Sequence, residues 1–384
     1  MITTRGLREK FHARFGGQAR IFRAPGRVNL IGEYTDFNDG FVMPAAIGRN
    51  CWVAAAPRAD RKLVIHSEDF PDTFEWDFSA GDPKRTGGWS DYAVGVAVML
   101  AKDGVQLRGA NLLIEGDVPI GAGLSSSAAI EIATGFALLD IAGVPVDGLE
   151  LARVAQRAEN QFVGARVGIM DQFASVFGQA GKAIVLDCRS LAYELVPIPG
   201  SLHLVICNTM VKHANSSGEY NVRRAQCEEA VASLAAFYPG IAALRDVTLE
   251  QLERHRDVLP DAIYRRAMHV VSENARVLAA VESLRAGDVR AFGRRMAESH
   301  ESLRTMFEVS SPELDLMVEL ANKQDGILGA RMTGGGFGGS TINLVEAKSA
   351  GLFRENMTRA YEQEAGRRPD IEICDPGPGA GPAA

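Results

Sequence analysis

Short apolar runs and helically spaced apolar positions alternate along the first half of this chain. Leu112, Leu113 and Ile114 stand in succession, and Glu115-Gly116-Asp117 closes the run, which predicts a strand over Ala110–Gly116. A loop of small residues follows, Gly121-Ala122-Gly123-Leu124-Ser125-Ser126-Ser127-Ala128-Ala129. Beyond it the pattern predicts a helix over Ser126–Ala142, stopped by Gly143 and Pro145. A second helix is expected from Asp147, because Glu150 three residues on completes a capping-box pattern. Its apolar positions Leu151, Val154, Ala155, Ala158 and Phe162 keep helical spacing up to Gly164. Residues 184–186 and 202–207 read as strands.

The second half is richer in helix, with segments expected over about 218–237, 261–286, 288–308 and 312–324. The last of these has Ser311 as its cap and Pro312 in the first turn. A strand then runs into Met332, a glycine cluster interrupts it, and residues 341–345 resume as a strand. Pro197, Pro199 and Gly200 mark the best boundary, dividing the chain into domains 1–197 and 198–384. Helical hairpins on mixed strands suggest α+β layers. The Pro/Gly-rich end, 376–384, is expected to be a flexible tail.

Composition narrows the class. A chain of 384 residues, 46% hydrophobic and 23% charged, has the length of two ordinary globular domains. A net charge of −7 argues against a nucleic-acid surface. The most apolar window, around 128–146, carries Glu131 and Asp140, so no membrane span is expected. Met1 to Lys10 lacks the apolar core of a signal peptide. Cys51, Cys188, Cys207, Cys227 and Cys374 form neither a pair motif nor a Cys/His cluster, which suits thiols in a reducing, cytoplasmic compartment.

Three glycine-bearing segments carry the candidate chemistry. In 121–129, small residues expose backbone N–H groups at a helix start, a place that favours phosphate. No lysine stands where a Walker A loop requires it, and Ser126 occupies the third glycine position of a dinucleotide fingerprint. The bland alternative is an ordinary strand-to-helix turn. In 331–340, Gly334, Gly336 and Gly339 satisfy G-x-G-x-x-G literally, but a strand follows where a dinucleotide site needs a helix. Here the glycines allow either close backbone approach or a tight hairpin. In 24–38, Arg27, Glu33, Tyr34 and Asp36 punctuate an apolar run. Mixed polar groups suit a polyhydroxylated ligand, whose hydroxyls both donate and accept; a solvated loop with an ion pair is the alternative.

In order and spacing, these segments together resemble the GHMP kinase superfamily. Gly26-Arg27-Val28-Asn29-Leu30-Ile31-Gly32-Glu33-Tyr34-Thr35-Asp36-Phe37-Asn38 resembles the signature of its galactokinase family. So do Gly168-Ile169-Met170-Asp171-Gln172-Phe173, Asn208-Thr209, Tyr220 with 223–228, and 298–303, so that the likeness spans nearly the whole chain. The resemblance implies a two-domain α+β kinase with an N-terminal domain like ribosomal protein S5 domain 2, a C-terminal α+β domain, and the active site in the cleft between them. It implies ATP as co-substrate, Mg²⁺ as cofactor and the C1 hydroxyl of galactose as acceptor, in the Leloir route, with no obligate protein partner.

Residue by residue, Asp171 matches the catalytic aspartate, a base or electrostatic partner, and Arg27 the arginine that keeps it ionised. Glu33, Tyr34, Asp36, Gly168, Asp171 and Tyr220 match sugar-contacting positions. Gly121, Ala122, Gly123, Leu124, Ser125, Ser126 and Ser127 match the ATP cradle, and Trp89 the neighbourhood of the adenine. Ser127 and Glu159 match the magnesium-linked pair, oxygen donors suited to a hard cation. The signature usually has His where this chain has Tyr34, which bears on sugar choice. Rival readings are a kinase for N-acetylgalactosamine, arabinose or galacturonate, and a catalytically silent sugar sensor. The complete Ser125-Ser126-Ser127-Ala128-Ala129 run favours the enzyme.

Overall fold

The computed structural model describes residues 2–212 and 216–383. Its largest sheet has six strands, in the order Gly381–Ala383, Arg20–Asn29, Pro44–Pro57, Ala110–Gly116, Lys62–Ser67 and Thr73–Asp77. All pairs are antiparallel except Lys62–Ser67 with Ala110–Gly116. Alternation along the strands divides two faces. Phe22, Val53, Ala55, Leu112 and Ile114 enter the main core with the helices Ser90–Lys102 and Ser126–Ala142. Ile21, Ala54 and Leu113 meet Leu7 and Phe11 of the helix Thr4–Phe15.

A three-stranded sheet of Phe41–Val42, Lys182–Asp187 and Tyr193–Pro197 follows. A four-stranded sheet is built from Ile327–Thr333, Gly338–Glu346, Leu202–Lys212 and Asp370–Cys374. The helices Val289–Ser302 and Pro312–Asn322 pack against it, Asp261–Arg285 lies on Val289–Ser302, and Ser216–Ala235 lies on Asp261–Arg285. The glycine turn between Thr333 and Gly338 meets the small-residue loop of the first half backbone to backbone: a Cβ on Gly334 would lie 2.6 Å from Gly123 O. That close approach joins the two halves at the site. The cluster is thus both a hairpin and a near contact, with positive φ at Gly334, Gly336, Gly338 and Gly339.

The expected helix Ser126–Ala142 is present with those bounds and ends at Gly143 in the left-handed region, φ 75°. Asp147 caps the next helix by accepting from Leu149 N and Glu150 N. The Glu150 half of the expected capping box does not form, because its carboxylate pairs with Arg153 at 2.5 Å. This helix widens into a π-helical segment, Ala158–Val163, which starts by placing Glu159 inward. Such widening is frequent at functional sites. The 288–308 segment likewise ends in a π-turn, Leu303–Phe307.

The expected flexible tail is corrected by the structure. Gly381–Ala383 pairs with Ile21–Arg23 as an edge strand. Ahead of it, Gly377 N donates to Ala46 O, Gly379 N to Gly178 O and Ala380 N to Ser175 O. The glycines that suggested disorder instead permit contact: a Cβ on Gly379 would lie 2.2 Å from Val176 O. All five cysteines are free and buried. No helix among the described residues is long and apolar enough to cross a membrane.

Candidate active site

Asp171 sits in the first turn of the helix Met170–Phe177; Ile169, not Asp171, occupies the cap position. Opposite it, a register shift between Pro25 and Arg27 turns the strand and exposes the Arg27 side chain to the loop and helix. Gly26 allows this, since a Cβ there would lie 2.5 Å from Leu124 O. Arg27 then grips Asp171 with both prongs, Nε to Oδ1 at 2.8 Å and Nη2 to Oδ2 at 2.8 Å. Its remaining nitrogen, Nη1, donates to Gly123 O at 2.7 Å. Ser125, held in the left-handed region at φ 59°, donates its hydroxyl to Asp171 Oδ2 at 2.5 Å. A hydroxyl expected to serve the nucleotide is therefore directed at the aspartate.

A cavity of about 550 Å³ opens over this cluster. Ser126 and Ser127 begin the helix at one side of it, and Gly121, Gly123 and Leu124 border it. Ala122 is turned inward, where its carbonyl accepts from Ser340 Oγ at 2.8 Å. Ser127 lies within hydrogen-bond reach of Glu159. Gln172 Nε2 bridges Glu159 Oε2, at 2.8 Å, and Glu131 Oε2, at 3.0 Å. Burial, then the charge of Asp171, pushes the Glu159 carboxyl up to about 8. Glu131 is raised well above the carboxylate range by burial and by Glu159. Among the described residues no cation forms an ion pair with either carboxyl, the charge of Arg27 reaching Glu159 only from its place on Asp171, while Glu131 Oε1 and Gln172 Oε1 are buried without partners. Oxygen donors short of a countercharge suit a small hard cation that keeps waters and phosphate oxygens as its other ligands. Glu131 escaped the sequence reading as a site residue, although a lone acid between Ile130 and Ile132 in an apolar helix was its signal.

The groups expected at the sugar lie on the other side of Asp171. The Asp36 carboxylate accepts from Phe37 N at 2.9 Å and from Met170 N. Burial, then the neighbouring Asp171, pushes it up to about 6. Gly168 lies directly behind it: a Cβ there would be 2.0 Å from Asp36 Oδ2. The carboxylate of Glu33 accepts from Asn29 Nδ2 at 2.8 Å and Gly334 N at 3.0 Å, and pairs with Arg331 at 2.5 Å. Tyr34 has φ 67° and donates its hydroxyl to Gly335 O at 2.5 Å. Its ring packs on Phe307 and Tyr220, with centroids 4.5 and 5.1 Å away. Tyr34 thus presents ring surface to the cavity, its hydroxyl being held by the glycine turn.

Trp89 borders the same cavity and lies parallel to Phe70, at 5.6 Å and 6°. Phe70 has no local sequence signal, because it reaches Trp89 only through the fold.

A two-domain fold with a small-residue loop at a helix start, an arginine-bound aspartate and a facing glycine turn defines a GHMP kinase. The models for the N-terminal and C-terminal domains of GHMP kinases match residues 91–179 and 280–363. The galactokinase galactose-binding signature matches residues 9–57. Galactokinase from Roseiflexus sp. (strain RS-1) is 46% identical over 99% of this chain and 97% of its own. That of Chloroflexus aggregans is 48% identical over 94% and 92%. The crystal structure of Lactococcus lactis galactokinase complexed with galactose superposes with a TM-score of 0.95 at 38% identity, covering 99% of both chains. The chain belongs to the galactokinase family.

Proposed function

We propose that the chain transfers the γ-phosphoryl group of ATP to the C1 hydroxyl of α-D-galactose, giving galactose 1-phosphate and ADP, in the cytoplasm as the opening step of the Leloir route. The observation that carries this reading is the fixed Arg27–Asp171–Ser125 cluster between Asp36 on one side and Ser127 with Glu159 on the other. Asp171 accepts the proton of the attacking hydroxyl, and Arg27 faces the charge that develops in transfer. Glu33, Tyr34, Asp36 and Tyr220 shape the sugar subsite, with Gly168 acting through Asp36. The 121–127 loop receives the phosphates, with Trp89 beside the base. Ser127 and Glu159 would hold Mg²⁺, which supplies neutralisation of phosphate charge when bound. Two domains, 1–197 and 198–384, flank the cleft, the end of the chain being returned to the first.

A substrate panel tests the acceptor. Galactose is expected to be turned over faster than N-acetylgalactosamine, arabinose or galacturonate at equal concentration with ATP and Mg²⁺. An acidic sugar is disfavoured because Asp36 and Asp171 already crowd the pocket, and Arg224, whose charge acts on Asp36, is paired with Glu228. A preference of more than about tenfold for another sugar, about 1.4 kcal/mol in transition-state binding, overturns the choice.

Glu159→Gln is expected to raise the Mg²⁺ concentration for half-maximal rate by about tenfold, because it removes a charge that a hard cation prefers. Titration of the rate with Mg²⁺ at fixed ATP checks this; an unchanged midpoint takes Glu159 out of the cation site.

A further inference from the structure

Arg331 is among the largest fully buried side chains of the molecule and borders no part of the cavity. Its Nη1 donates to Asn29 O at 3.1 Å and its Nη2 lies 2.5 Å from Glu33 Oε2, while Nε has no partner. Glu33 does border the cavity. A buried guanidinium with an unsatisfied nitrogen is costly unless its anion needs it. The main chain of Glu33 is fixed separately. His269 on the helix Asp261–Arg285 donates from Nε2 to Glu33 O at 3.2 Å, while its Nδ1 accepts from Ser302 Oγ at 2.8 Å. This tautomer follows from the carbonyl, which can only accept. Next to it, Gly32 N donates to Glu273, whose own cation is Arg276.

We propose that Arg331 is a positioning residue for the acceptor: its guanidinium holds the Glu33 carboxylate toward the cavity and so sets affinity for the sugar without touching it. The proposal rests on the reading of Glu33 as a sugar contact. The groups facing Glu33 are few. Arg331 comes from the strand Ile327–Thr333, and Arg27 from the strand Arg20–Asn29, where Asp171 engages it. Asn29 and Gly334 N donate to it, Tyr34 beside it is pushed up by burial and stays protonated, and His269, pushed down to about 3 by burial, stays neutral. Burial drives the Glu33 carboxyl upward, and Arg331 is the leading group that opposes this. An ionised carboxylate accepts from two sugar hydroxyls; a protonated one loses part of that capacity.

The test is a cycle of Arg331→Met, Glu33→Gln and the double variant, with KM for galactose, KM for ATP and kcat measured from about pH 6 to about pH 9. Arg331→Met is expected to raise the galactose KM about tenfold or more near neutrality, with the ATP KM within about twofold. As pH rises the galactose KM of this variant falls again, because Glu33 then ionises unaided. Glu33→Gln shows a raised galactose KM that does not recover as pH rises above the range in which Asp36 titrates, and the double variant is no worse than Glu33→Gln. The double variant leaves no lone buried charge, so it and Arg331→Lys carry the test if Arg331→Met does not fold. Arg331→Lys is expected between wild type and Glu33→Gln in galactose KM alone. Effects that multiply in the double variant, or galactose and ATP KM rising together, overturn the role of Arg331. An unchanged galactose KM in Glu33→Gln overturns the reading of Glu33 itself, and the proposal with it.

Discussion

Asp171→Asn lowers kcat by about three orders of magnitude while galactose still binds, within the range expected for removal of a positioned base. The carboxylate takes three donors, two from Arg27 and one from Ser125. An asparagine of nearly equal volume offers one oxygen and turns an NH₂ group toward donors that need an acceptor. Basicity and the partner of Arg27 are lost in a single step. Arg27 is 4% exposed, so an unpaired guanidinium costs stability as well. Steady-state kinetics with calorimetric titration of galactose separates the effects, and circular dichroism confirms the fold. A kcat within about tenfold of wild type removes Asp171 from the chemistry and leaves it an anchor for Arg27.

What was legible beforehand follows from the range of each interaction. The helix Ser126–Ala142 and the cap at Asp147 depend on neighbours within a turn, so propensity and pattern were enough. The Arg27–Asp171 pair spans 144 residues, and only the family likeness joined its members. The bond from the Ser125 hydroxyl to Asp171 was not legible, because the left-handed backbone that turns it there has no local cause in a Leu-Ser-Ser sequence. Glu131 and Gln172 were invisible as a bridge, each being unremarkable alone. The end of the chain failed in the opposite direction. Its composition is that of disorder, yet its glycines serve contacts with Ile47 and Val176 that no composition encodes.

Gly168→Ala tests whether the sugar side is arranged as the geometry suggests. Gly168 is not in the left-handed region, so alanine is tolerated by the backbone itself. The obstacle is Asp36, whose Oδ2 would lie 2.0 Å from the new methyl group. A long surface side chain would swing away. Asp36 is 9% exposed and held by Phe37 N and Met170 N, so it moves only by giving up those bonds. The expected loss in kcat/KM for galactose is about a hundredfold, as for a misplacement of about an ångström, and most of it falls in KM. ATP KM stays within about twofold, because the atoms nearest a Cβ at Gly168 all belong to Asp36 and none to the 121–127 loop. The carboxyl at about 6 adds a control. If the ionised form grips the sugar, galactose KM in the wild type rises as pH falls through about 6, whereas in Gly168→Ala that dependence flattens with the grip gone. A galactose KM within about twofold of wild type in Gly168→Ala means that Asp36 does not hold the acceptor, and the sugar must then be held from the Glu33 and Tyr220 side of the pocket.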